Sequence, residues 1–297
     1  MRTTFNSSFL QSAADLSRTS VELARRQREV SSGRRLNTAS DDPSAASGSV
    51  REHSEIAALD RYDQTADTAN SRLSVADSVL SDMLDQLTNA KTTILAAQGS
   101  PVTDEQRDAY ARELAAIRDS LFSDFTTTFN GTYLFSGQAA TVAPYQKAAN
   151  GTISAYSGTT SAIAVDIDRH TSVTVSFNAD AIARGSDTAD IFTSLTQAIA
   201  AVLAGDGAGM ATAGTAVERA FQRTTAAQSE NGAGLREIEI QKGRLADQRN
   251  ASKTRTSNFE DANMAESITK MSQADTAYKA ALGAIATTGR VTLMDYL

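Results

Sequence analysis

The sequence predicts a mainly α protein: an elongated coiled-coil helical bundle formed by both chain ends, with a small β-containing insert. Three observations carry that reading. Between Leu59 and Ala97 the apolar residues are Leu59, Tyr62, Ala66, Ala69, Leu73, Ala76, Leu80, Met83, Leu87, Ala90, Ile94 and Ala97, and every interval is three or four. That is the a/d seam of a coiled-coil helix, about 58 Å long at 1.5 Å per residue. A second heptad seam near the end runs through Met264, Ile268, Met271, Tyr278, Leu282 and Ile285, interrupted by Asp275. In between, Ile163, Val165 and Ile167, then Val173, Val175 and Phe177, alternate with polar residues, the period-two pattern of paired strands.

Each element has its own local signals. The first helix carries Phe9, Leu16, Leu23 and Val30 at strict spacing of seven, beside a weak second row of Phe5, Ser12, Thr19 and Arg26. It is expected to end near Ser31-Ser32-Gly33. Asp42 then caps a restart, with Pro43 at the first helical position. The long seam helix stops at Gln98-Gly99-Ser100-Pro101, and Thr103 to Gln106 forms a capping box for a third helix. Its apolar face is Tyr110, Leu114, Ile117, Leu121 and Phe125.

From Asn130-Gly131 to about Gly185 the chain turns rich in Gly, Thr, Ser and Ala, with Asp168 to Ser172 as a hairpin loop. A short helix follows with Ile191, Leu195, Ile199 and Val202 on one face, and Gly205 to Gly214 reads as a flexible connector. Helical spacing returns at Val217, Phe221, Leu235, Ile238 and Leu245. No proline follows Pro144, which permits long helices to the end. The expected division is a terminal helical assembly domain (1–45 and 258–297), a long-helix rod (46–136 and 205–257) and a small β-rich outer domain (137–204). The two ends have thin seams, so they are expected to pack on each other or on neighbouring copies, with full order coming from many neighbours.

Composition excludes much chemistry. The 297 residues include no Cys, no Trp, two His and three Pro, with a net charge of −7. No disulfide, thiolate metal site or thiol nucleophile is possible without Cys. The acidic balance, with basic residues spread out, argues against nucleic acid or an anionic membrane as the main partner. No run approaches the ~18 continuous apolar residues of a membrane span. Met1 to Leu10 is too polar for the core of a secretory signal peptide, so export by that route is not expected.

His53 and His170 stand far apart, each without a metal-site context. Gly205-Asp206-Gly207-Ala208-Gly209 lacks the Gly-Lys-Ser/Thr ending of a phosphate loop. Asp166 and Asp168 share one strand face, where a solvated surface is the plainer reading than acid–base work. No catalytic residue, metal ligand or cofactor is expected, and nothing recommends an enzyme.

Two motifs suggest a family. Residues Ser31 to Ala46, SSGRRLNTASDDPSAA, resemble the bend that follows the first helix of bacterial flagellins and their hook-associated relatives. In that resemblance Ser32, Gly33, Leu36, Asn37, Asp41, Asp42 and Pro43 are the bend residues. Asp261-Ala262-Asn263-Met264-Ala265-Glu266 is similar to the opening of the superfamily's last helix. The chain departs with Ala39 where the family often has Pro and Asn263 where Asp is usual. The similarity covers roughly 1–136 and 205–297 and leaves the insert unmatched. The start Met1-Arg2-Thr3-Thr4, the run Asn130 to Gly137 and the tail Thr292 to Leu297 resemble the hook-associated protein 3 family.

The resemblance implies a flagellin-like fold and a junction adaptor between flagellar hook and filament, assembling helically through its terminal helices. The implied assembly interface is Phe5, Phe9, Leu16, Leu23, Val30, Met264, Ile268, Met271, Tyr278, Leu282, Ile285, Leu293, Tyr296 and Leu297. Implied partners are copies of itself, neighbouring hook-associated protein and flagellin subunits, an export chaperone and the flagellar secretion apparatus. The implied location is extracellular, at the hook-filament junction. A filament-forming flagellin, and from another class a cytoplasmic coiled-coil binding module, remain open alternatives.

Overall fold

The structure is a computed structural model that describes residues 2–99, 102–149 and 151–294, with side chains described over 10–286 of these. It is mainly α with a small β insert. Its elements divide into two compact units, Met1–Leu59 with Asp247–Leu297, and Asp60–Ala246.

The first unit holds α1 (Arg2–Ser32), the start of α2 (Pro43–Ala97), the end of α6 (Gly207–Glu260) and α7 (Met264–Met294). The left-handed Gly33 (φ 69°) follows the last residue of α1, a conformation that costs a residue with a Cβ about 1 kcal/mol or more. Asp42 caps α2, its Oδ1 accepting from the Ala45 amide at 3.0 Å behind Pro43, as its sequence position predicts. α1 and α7 pack on one another.

The second unit is built on the long seam. Along α2 every seam residue from Ala66 to Ala97 is buried. Leu80, Met83, Leu87 and Ile94 meet Leu114, Ile117, Leu121 and Phe125 of α3 (Asp104–Phe125). Leu195 and Val202 of α5 (Ile191–Ala204) and Val217 of α6 complete that core. The Thr103–Gln106 capping box is present. Phe125, Tyr145 and Phe192 form an edge-to-face nest with ring centroids 4.9–5.8 Å apart, counting Phe135 on Phe125.

The expected hairpin is there, but shorter: β3 (Ala164–Asp166) pairs antiparallel with β4 (Ser172–Thr174), Val165 opposite Val173. Its inner residues Ile167, Val173 and Val175 bury against Ala66, Ala69 and Leu73 of α2 and Ile238 of α6. A second hairpin, β1 (Thr128–Phe129) with β2 (Thr132–Tyr133), turns at Asn130 (φ 49°) and Gly131 (φ 76°). Both positive φ values mark the two-residue turn that Asn-Gly favours. α4 (Ala179–Ala183) is a short turn capped by Asn178.

The connector expected at Gly205 to Gly214 is overturned. α6 begins at Gly207, and Asp206 Oδ1 accepts from the Ala208 amide at 3.1 Å. Glycine in a helix costs about 1 kcal/mol each, but Met210, Ala213 and Val217 are buried in the core, and that burial outweighs propensity.

Candidate assembly surface

The paired terminal helices meet through a seam with a polar centre. Leu16, Leu23 and Val30 of α1 are half-buried, as are Met271, Tyr278 and Ile285 of α7. Between these apolar rows sits Glu29, 7% exposed, accepting the hydroxyl of Ser267 (2% exposed) at 2.9 Å. The other Glu29 oxygen takes Arg26 at 2.8 Å, and Arg26 also bonds Glu22. A buried carboxylate with two partners is satisfied, but it replaces apolar contact that a self-sufficient helix pair would use. Only the Arg26 row position hinted at this in the sequence.

The final seam divides between two faces. Met271, Tyr278 and Ile285 turn inward beside the small Ser267, Ala274 and Ala281, whereas Met264, Ile268 and Leu282 stay exposed. Asp275, the break in that seam, pairs with Lys279 at 2.7 Å. α1 has an outward row that sequence reading missed: Leu10, Ala14, Ser17, Val21, Ala24 and Arg28 follow four–three spacing, and all are exposed. Leu10 and Val21 reach 63% and 65% exposure. Apolar side chains are thus left on the outer faces of both helices. The side chains of Phe5, Phe9 and Leu293, and residues Tyr296 and Leu297, lie outside the described region.

The two chain breaks that bound these helices are bonded to each other. The Arg35 and Leu36 amides donate to the Glu260 carbonyl at 2.7 and 3.3 Å, and the Ala262 amide donates to Gly33 O at 2.9 Å. Arg34 faces Asp261 in an antiparallel bridge. Glu260, itself buried, accepts the Ser49 hydroxyl, His53 Nε2 at 2.7 Å and Arg34 at 3.4 Å. The Ser49 bond, then His53 and Arg34, hold its carboxyl below the usual carboxylate range. Gly48 lets the Phe259 ring approach: a Cβ there would lie 2.8 Å from Cζ.

The bend residues form a closed loop. Asp41 accepts from the Thr38 and Asn37 amides at 2.8 and 3.2 Å, the Thr38 bond leading in depressing its pKa. The Asn37 side-chain amide donates to Arg34 O, and Arg35 bridges Asp42 at 3.0 Å and the Phe259 carbonyl at 2.9 Å. Ser32 Oγ accepts from the Arg34 amide, and Leu36 is half-buried.

Among the described residues no cluster of three or more His, Asp or Glu side chains could hold a metal ion. No described helix is long and apolar enough to cross a membrane. Asp168 anchors the β3–β4 hairpin by accepting from Gln241 at 2.7 Å, while Asp166 faces solvent.

Residues 4–140 match the bacterial flagellin N-terminal helical region. The chain is 29% identical over 152 residues to flagellar hook-associated protein 3 of Salmonella typhimurium, covering 51% of this chain and 48% of that protein. It is 28% identical over 148 residues to flagellar hook-associated protein 3 of Escherichia coli, covering 50% and 47%. Thus the chain spans about half the length of the curated relatives it matches. Xanthomonas campestris FlgL superposes with a TM-score of 0.62 at 18% identity, over 68% of this chain and 98% of that one, a likeness of fold.

Proposed function

We propose that this chain, whose residues 4–140 match the bacterial flagellin N-terminal helical region, is a structural component of the flagellum. Its role is that of a junction adaptor joining hook to filament by helical self-assembly through α1 and α7. The observation that carries this reading is the helix pair with a polar-centred inner seam and apolar residues left on both outer faces. In a helical stack those outward rows become subunit contacts, and the neighbours are copies of this chain, another hook-associated protein and flagellin. The names of the relatives favour the junction over the filament. No catalysis enters the mechanism.

A strain lacking the gene tests it. Cells should carry hooks without attached filaments and release flagellin into the medium; filaments that remain attached overturn the junction role. Val21→Asp with Leu282→Asp, both on exposed faces, should abolish assembly while shifting monomer stability by less than about 1 kcal/mol. Assembly retained by the double variant overturns the proposed contact role, and lost assembly together with a large loss of monomer stability assigns these residues to the fold instead.

The finer reading is export through the flagellum's own channel, directed by the polar start of the chain, and an extracellular place at the junction. A soluble export chaperone covers the Met264, Ile268 and Leu282 row beforehand, since that row is exposed in the isolated subunit. Residues 1–30 fused to a reporter should carry it into the medium of a flagellated strain. Retention in the cytoplasm places the signal elsewhere.

A further inference from the structure

β4 has a free edge. Val175 donates to Ile163 O and Ile167 donates to Thr171 O, so the odd-numbered residues of the strand face β3. The backbone groups of Ser172 and Thr174 therefore point away from β3, and among the described residues the sheet has two strands. Both residues are exposed, and both line a cleft of about 660 Å³ between the hairpin and α6. Ala227 and Gly234 of α6 also line it, small enough to leave room for a backbone.

Two further features say what the cleft takes. Asn231 lines it and is 2% exposed; its Nδ2 donates to Leu73 O and Asp77, but its Oδ1 has no partner. A buried acceptor without a donor is costly and asks for an N–H or O–H. Glu230 and Glu237, two helical turns apart on the same lip, make no ion pair among the described residues. The cation nearest in the lining, Arg223, is spent on Asp187 and the carbonyls of Ile182 and Ala183.

We propose that this cleft docks an extended, basic polypeptide segment of another protein, which adds as a third strand to the free edge of β4. Main-chain bonds to Ser172 and Thr174 supply the affinity, and cationic side chains reaching Glu230 and Glu237 supply the selectivity. Same-face positions of a strand lie about 7 or 13 Å apart, which brackets the roughly 10 Å between the two glutamates along α6, and the long stem of an arginine covers the difference. A second copy does not provide this strand. The cations of the chain's own non-helical described segments are already engaged: Arg34, Arg35, Lys147 and Arg184 pair with Glu260, Asp42, Asp119 and Asp180, and Arg169 also has a partner.

The test titrates the full-length ¹⁵N-labelled chain with the blocked peptide acetyl-Thr-Arg-Val-Thr-Val-Arg-Thr-amide, with fluorescence anisotropy for affinity. The amides of Ser172 and Thr174 should shift and gain protection from exchange. Methylating alternate peptide nitrogens should weaken binding by about 10-fold or more, as should Glu230→Lys with Glu237→Lys. That double variant should in turn bind the peptide with Glu in place of Arg. Equal binding of the N-methylated peptide, or no shift at millimolar peptide, overturns the proposal. Protection of Ser172 and Thr174 that grows with protein concentration and without peptide also overturns it, by assigning the edge to a second copy.

Discussion

Replacing Glu260 by Ala tests whether the two chain breaks act as one joint. The carboxylate accepts the hydroxyl of Ser49, which is itself buried, and a buried hydrogen bond to a charged group contributes about 1.5–3 kcal/mol. His53 and Arg34 have side chains more than half exposed, so each adds only a few tenths of a kcal/mol. Removing a buried charge returns part of this, which leaves a net loss of about 2 kcal/mol. That corresponds to roughly a 30-fold shift in the local opening equilibrium. Native-state hydrogen exchange reads it directly, because the Arg35 and Leu36 amides bond to Glu260 O and the Ala262 amide to Gly33 O. Those three amides should lose protection together by about 30-fold, while amides around Leu114 and Leu121 keep theirs. Unchanged protection at the three positions, or an equal loss in the α3 core, would refute the reasoning. Acid should act in the same direction. The carboxyl of Glu260 is depressed in the fold, so its contribution is present above its unfolded pKa near 4.5 and is lost as pH falls through the folded value.

Two other predictions concern the second unit. Asp124 is pushed up to about 6 by burial, with Asp82 adding to it, so the fold binds its proton more tightly than the unfolded chain and stability falls as pH rises from about 4 to 6. Asp124→Asn should stabilise by about 1 kcal/mol at pH 8, after discounting for partial exposure. The gain should vanish below about pH 4 in urea titrations; a gain independent of pH would exclude the charge as its cause. Arg72 donates to Val175 O at 2.6 Å, Thr132 Oγ1 at 2.8 Å and Tyr133 O at 3.1 Å, holding both hairpins to α2. Arg72→Ala should cost about 2–4 kcal/mol, and Arg72→Lys should recover less than half, since one ammonium cannot span that fan. Full recovery with Lys would reduce the role to charge alone.

The helices were legible where burial is one-sided and periodic. The seam from Ala66 to Ala97 is buried at each position that its spacing predicts, and the Thr103–Gln106 box and the Asp42-Pro43 start lie where their chemistry requires. Reading failed where tertiary contact overrode composition. Gly207, Gly209 and Gly214 suggested a connector, yet Met210 and Ala213 among them are core. The β1–β2 hairpin carried a readable Asn130-Gly131 signal, but with only two residues per strand there was no alternation around it to mark. At the candidate surface, the heptad spacing of Met264, Ile268, Met271, Tyr278, Leu282 and Ile285 was plain. Spacing alone suggests one stripe, whereas in the structure the stripe splits: Ser267 lies buried on Glu29 on the same side as Met271, Tyr278 and Ile285, and Met264, Ile268 and Leu282 stay exposed.

In the proposed assembly, that split lets one helix pair be held within the single chain and still offer apolar rows to neighbours. A stable two-helix seam buries its apolar rows and leaves polar residues outside. Here the inner seam spends positions on Glu29, Ser267 and the half-buried Arg26, while Leu10, Val21, Met264, Ile268 and Leu282 face outward. The polar centre favours one register between α1 and α7, because a shifted register would take the Ser267 hydroxyl from the buried Glu29 Oε1 and leave only the Arg26 bond within α1. The apolar rows outside contribute only when neighbours cover them. The bonds between residues 33–36 and 260–262 tie the end of α1 to the start of α7, so that in the proposed assembly the two helices meet neighbours as one surface. Weakening the inner seam should therefore impair assembly by losing register, and weakening the outer rows should impair it with register intact.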